Sequence, residues 1–174
     1  MGIKTVKSDV PQPLANYAEA AIAGDLVFTA GQLASDFKTG VPQEARKHPN
    51  FPFYGSDIKL QTDFVLKNMA KTFKAAGTSL DHVIKAQVFL TDLNDFNGFD
   101  EIWKKHFKVP PPRTTIGTTG LLVKDTLVEI DLIATVPDDV FAQRHDWISG
   151  NADSHYDEHL RMLQAWRERA SGAG

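Results

Sequence analysis

Arg113 stands directly behind Pro110-Pro111-Pro112 and ahead of Thr114-Thr115. Proline fixes its own φ and restricts the residue before it, so this arginine enters a predicted strand on a stiff lead-in. It could be a plain surface charge. A planar guanidinium at a rigid strand end also suits a two-pronged grip on a carboxylate. Two acids, Glu129 and Asp131, stand on another predicted strand, Thr126 to Val136. Successive strand residues point to opposite faces, which groups Val128, Ile130, Leu132 and Ala134 on a wholly apolar face. Leu127, Glu129, Asp131 and Ile133 fall on the other. If that second face is open, both acids are simply solvated. If a second copy of the chain covers it, they are candidates for a buried polar site. The apolar residues beside them favour coverage by self-association.

Other chemistries are narrowed by composition. The 174 residues include no cysteine, which excludes disulfides, a thiol nucleophile, thiolate zinc sites and iron–sulfur ligation. His155 and His159 stand four apart with carboxylates between them. The run is not His-Glu-x-x-His, however, and its surroundings are polar, so it reads as a solvated helix and no metal site is assigned. His48, His82 and His106 are dispersed, the latter two expected at helix or strand margins. Cleavage of RNA would need a histidine pair and a basic track. The net charge is −3, from 19 Lys plus Arg against 22 Asp plus Glu. Residues 138–174 hold seven acids and four bases, so that stretch carries all of the excess and residues 1–137 are neutral. No nucleic-acid partner is therefore expected. Neither a membrane-length apolar run nor an apolar signal core is present, so a cytoplasmic, soluble protein without a membrane partner is expected.

The elements that must position these residues follow from periodicity. Tyr17–Ile22 and Leu26–Ala30 read as strands around an Ala23-Gly24-Asp25 hairpin turn. Ile58, Val65, Leu66, Met69 and Phe73 recur at helical spacing behind a Ser56/Asp57 cap, with Gly77 as the stop. A strand over His82–Leu90 follows. A second helix comes next, capped by Asp95, carrying Phe99, Ile102, Trp103 and Phe107 on one side and ended by the prolines. Strands near Thr114–Thr118 and Thr126–Val136 complete a ββ–α–β–α–ββ order, an α+β layout with helices on one face of a sheet. Residues 1–137 read as one domain. It contains an irregular loop, 41–57, whose His48, Phe51, Phe53 and Tyr54 suit either a lid or an oligomer contact. Residues 138–174 read as a C-terminal helical extension, with a polar helix at Tyr156–Ala170, too short to build its own core.

Five segments occur in an order that resembles the RidA (YjgF) family, formerly called endoribonuclease L-PSP. They are Pro13-Leu14-Ala15-Asn16-Tyr17, Phe28-Thr29-Ala30-Gly31-Gln32, Thr91-Asp92-Leu93-Asn94-Asp95-Phe96, Pro111-Pro112-Arg113-Thr114-Thr115 and Val128-Glu129-Ile130. The resemblance spans roughly residues 10–136. It implies a chorismate-mutase-like mixed sheet with two helices on one face, a homotrimer with clefts between subunits, and hydrolysis of reactive imines and enamines that carry a carboxylate. Substrates of the 2-aminoacrylate or 2-aminomuconate kind are implied, with no cofactor. By the same resemblance Arg113 binds the substrate carboxylate and Glu129 holds the hydrolytic water. Tyr17 and Asn94 line the pocket, and Thr115 offers backbone contacts. The chain departs from the family at Ala30, where serine is frequent, and at Thr115, where cysteine is frequent. The loss of a hydroxyl at Ala30 bears on which substrate fits.

Those residue types suit the implied chemistry. Hydrolysis of an imine needs the substrate anchored, its nitrogen protonated and a water directed at carbon. Arg113 would anchor the carboxylate. Glu129, with its pKa raised by partial burial, would take a proton from water and return one to the departing ammonia. A non-enzymatic trimer that binds small ligands or acts as a chaperone is the alternative, since fold alone does not specify activity. An endoribonuclease is less compatible with the neutral body.

Overall fold

The computed structural model describes residues 3–137 and Val140. The chain divides after Pro137 into two units, of which the first is an α+β fold. The helix expected at Tyr156–Ala170 and the His155/His159 pair lie outside the described residues.

The elements run β1 (Lys4–Val6), β2 (Ala20–Ala23), β3 (Leu26–Thr29), β4 (Gln32–Leu33), α1 (Asp57–Ala75), β5 (Val83–Leu90), α2 (Phe96–His106), β6 (Arg113–Gly117) and β7 (Val128–Thr135). They form one mixed sheet in the order β1-β2-β3-β7-β5-β6, and β4 also pairs with β7. Among the described strands only β5 and β6 pair in parallel. A parallel pair needs a long crossover, and α2 supplies it. Gly24 adopts φ 65° in the β2–β3 turn and Gly77 φ 72° beyond α1, both left-handed positions where glycine costs least.

The apolar sets predicted from periodicity form the core. Val128, Ile130, Leu132 and Ala134 are at most 1% exposed, and Val65, Leu66, Met69, Phe73 and Phe99 are fully buried. Burial of each large member stabilises by about 2 kcal/mol. The opposite face of the sheet is different in character. Glu129, Asp131 and Ile133 are only half-buried, and Phe28, paired with Ile133, is 40% exposed.

The structure differs from the sequence reading in several places. β1 and β4 were not expected, because two or three residues are too few to display alternation. The strand expected from Tyr17 begins only at Ala20, since Tyr17 donates to the Ala15 carbonyl in a turn at 3.0 Å. His82 closes a 3-10 turn instead of opening β5. Ser56 and Asp95 occupy the N-cap positions expected of them, but neither side chain caps. Asp57 instead accepts from the Lys47 backbone N–H at 2.7 Å. That bond fastens the 41–57 loop to the start of α1, and Arg46 Nε, donating to the Val41 carbonyl at 2.8 Å, braces the loop from within. Phe51, Phe53 and Tyr54 remain exposed on this loop. His106 ends α2 with its Nε2 2.8 Å from Asp63 Oδ1, a marginal position as expected.

Candidate active site

Arg113 opens β6 opposite Ala86 of β5, and Thr115 lies opposite Val88. Ala86 and Val88 are buried under the helices, so Arg113 and Thr115 share the helix-covered side of the sheet. There α2 provides a platform of rings. The guanidinium carbon lies 4.9 Å from the ring centres of Phe99 and Trp103 and 5.5 Å from that of Phe96, within reach of the attraction between a cation and an aromatic face. Its Nη2 donates to Asp100 Oδ1 at 2.9 Å. Asp100 also pairs with Lys104, one turn further along, at 2.6 Å. Lys104 and then Arg113 hold the Asp100 carboxyl below its ordinary value. With 16% of its side chain exposed, Arg113 is fixed yet reachable. It opens on a hollow shared with Trp103, Lys104, Phe107, Pro110 and Pro111.

Glu129 is placed by a different set of contacts. The entry to β7 is fixed by Gln61, a buried side chain on α1. Its Nε2 donates to the Asp125 carbonyl at 2.9 Å, and its Oε1 accepts from Leu127 N–H at 2.8 Å. Two residues on, Glu129 pairs with Leu33 of β4 and Phe89 of β5. Phe89 lies out of phase with the buried Val88 and Leu90, so Glu129 faces the side without helices. Gly31 packs directly against its carboxyl group: a Cβ there would stand 2.9 Å from Glu129 Cδ. Partial burial, and then the charge of Asp131, raise the pKa of Glu129. Burial and then Glu129 raise that of Tyr17. Asp131 is raised by burial as well, against the opposing pull of Gln87, whose Nε2 donates to it at 3.3 Å, and of Lys85.

The expected site residues therefore form two groups. Tyr17, Ala30 and Gly31 line one hollow, and Glu129 touches Gly31 from the uncovered face. Arg113 and Thr115 belong to the other face, at the edge of the sheet. Asn94 sits exposed in the 3-10 turn Leu93–Asp95, where its backbone N–H donates to Asp92 Oδ1 at 2.8 Å. One chain does not bring Arg113 and Glu129 to a common point. Three features went unread in the sequence: the space Gly31 leaves for Glu129, the ring platform, and Asp100. Phe99 and Trp103 carried a signal, but as core residues. Asp100, one turn before Lys104 and between aromatic residues, carried one that was not used. Among the described residues no three His, Asp or Glu side chains converge as a metal site would require, and no helix is long and apolar enough to cross a membrane.

A mixed α+β sheet with both helices on one face, an arginine at its edge and a half-buried glutamate on its bare face defines a Rid-type protein. The model of the endoribonuclease L-PSP family matches residues 7–136, and the chain belongs to that family, also known as YjgF/RidA. A RutC family protein of Pyrococcus horikoshii is 37% identical over 126 residues, covering 72% of this chain and 91% of the other. The chloroplastic Reactive Intermediate Deaminase A of Arabidopsis thaliana is 33% identical over 126 residues, 72% of this chain and 62% of its own. Among solved structures, RidA from an Antarctic Psychrobacter superposes with a TM-score of 0.64 at 31% identity, over 76% of this chain and 99% of that one. TdcF of E. coli, solved with bound serine, gives a TM-score of 0.64 at 29% identity, over 76% and 98%.

Proposed function

We propose that the protein is a cofactor-independent hydrolytic deaminase of reactive imines and enamines that bear a carboxylate, acting at sites formed between copies of the chain in a homotrimer. The observation that carries this reading is the split between the two halves. Arg113, rigid and reachable, stands on one side of the sheet edge, and Glu129, with a raised pKa, stands on the other. A face that exposes Phe28 beside half-buried acids is one that a second copy would cover. Arg113 of one copy would then meet Tyr17, Ala30, Gly31 and Glu129 of the next, with Asn94 and Thr115 at the margin.

In that arrangement Arg113 holds the substrate carboxylate and fixes the imine carbon before Glu129. An enamine first becomes its imine tautomer. Glu129 takes a proton from water as the oxygen bonds to carbon, giving a carbinolamine. Glu129 passes that proton to nitrogen, the C–N bond breaks, and ammonia leaves as the hydroxyl gives its proton to Glu129 and the carbonyl forms. That proton protonates the nitrogen of the next imine, so the balance is imine plus water to keto acid plus ammonia. Tyr17, whose raised pKa keeps its phenol protonated, can donate a hydrogen bond to the oxygen that develops. A relative named as a reactive intermediate deaminase supports the same reading. The test is ammonia release from freshly generated 2-aminoacrylate. Arg113→Ala should lower kcat/KM by roughly a hundredfold, and undiminished turnover would refute the assignment.

A further inference from the structure

The candidate grip already holds a carboxylate of its own. Asp100 Oδ1 bonds Arg113 Nη2 at 2.9 Å, and its other oxygen is 2.6 Å from Lys104. Asp100 lies inside α2, four residues after its first, and is bound on both oxygens. Swinging away would break two charge-assisted contacts at once. The rings of Phe96, Phe99 and Trp103 occupy the guanidinium face. Of the five N–H donors on an arginine, one is therefore committed to Asp100, and among the described residues this side chain forms no other hydrogen bond. The Lys104–Asp100–Arg113 trio carries a net charge of +1.

We infer that Asp100 is a positioning residue for carboxylate recognition. It locks the Arg113 guanidinium on its ring platform, leaves one edge free, and matches the local charge to a single substrate carboxylate. The inference rests on reading Arg113 as the carboxylate grip. An unrestrained arginine side chain samples many rotamers, a freedom that a substrate would have to quench on binding. Asp100 quenches it beforehand. The same negative charge disfavours a second anionic group close to the first, which points to substrates whose other end is neutral or lies well away from Arg113.

Two variants and one control test this. Asp100→Ala removes the tether and should raise KM about tenfold while kcat stays within roughly threefold. Asp100→Asn keeps an oxygen that accepts from Nη2 and should return KM to within roughly threefold of the native value. Without substrate, the guanidinium N–H signals of Arg113 in NMR spectra should be sharp in the native protein and in Asp100→Asn, and broadened in Asp100→Ala. An unchanged or lowered KM in Asp100→Ala overturns the inference, because Asp100 would then be a mere packing residue or a competitor of the substrate. Arg113→Ala separates the two levels. If it retains full turnover the grip reading has fallen. If it loses turnover while Asp100→Ala behaves as native, only the role of Asp100 has fallen.

Discussion

Gly31 and Glu129 share one pocket of space: a methyl group on Gly31 would stand 2.9 Å from Glu129 Cδ and closer still to its Oε1. Gly31 does not have a positive φ, so glycine is needed here for room and not for backbone freedom. Gly31→Ala should therefore fold normally and displace only the carboxyl group. Because a small misplacement of a reacting group is expensive, kcat should fall about tenfold or more while Tm changes by no more than about 2 °C. Native kcat in this variant would show that the position of Glu129 does not matter for turnover.

The pH dependence has a definite sign. Glu129 must be ionised to accept a proton from water, and burial, with Asp131 second, raises its pKa above 4.5. Activity should thus rise with pH through the raised value, not the ordinary one. Asp131→Asn removes the neighbouring charge and should move this acid limb to lower pH, leaving the part caused by burial. A limb that stays in place would remove Asp131 from the account. Stability follows from linkage. An acid with a raised folded-state pKa contributes fully below its unfolded value, and that contribution is lost as pH rises through the folded value. Glu129→Gln should flatten this loss in denaturant titrations across the same window.

Much of this arrangement is legible in the sequence. The four apolar residues of β7 and the helical spacing of Val65, Leu66, Met69 and Phe73 are long patterns, so they name their buried faces directly. Arg113 and Glu129 stand out because charged residues are unusual in such surroundings. Their division between opposite faces was not legible, because it depends on the pairing of Ala86 with Arg113 and of Phe89 with Glu129. Register between distant strands leaves no local mark in a sequence. The contact of Asp100 with Arg113 spans a crossover and is hidden for the same reason. The need for glycine at position 31 is hidden in the same way, because the atom that needs its space lies almost a hundred positions away.

Glu19 is expected to be a liability for stability. It is 5% exposed. Its Oε2 accepts from Ser8 Oγ at 3.1 Å and from Gln12 Nε2 at 3.4 Å, but its buried Oε1 has no hydrogen-bonding partner among the described residues. A buried polar atom left unbonded costs roughly 1–3 kcal/mol. Glu19→Gln keeps an oxygen for Ser8 and removes a buried acid, whose desolvation costs more than that of the amide nitrogen that takes over the unbonded position. Stability should rise by about 1 kcal/mol, a Tm gain of about 3 °C. A lower Tm would mean that the acid is needed where it stands.

The placement of Arg113 and Glu129 on opposite faces leads to a test that no single variant provides. If each site takes its arginine from one copy and its glutamate from the next, Arg113→Ala and Glu129→Gln spoil different halves of every site. Each variant alone should be nearly inactive. Unfolded together in equal amounts and refolded, they should assemble at random into mixed trimers. A site is intact when a subunit with native Arg113 adjoins one with native Glu129, which random assembly produces at roughly a quarter of the interfaces. The mixture should therefore recover about 25% of native turnover, whereas each variant refolded alone should stay near about 1% or below. Were both groups drawn from one chain, no mixture could contain an intact site, and the refolded mixture would stay as inactive as its parents.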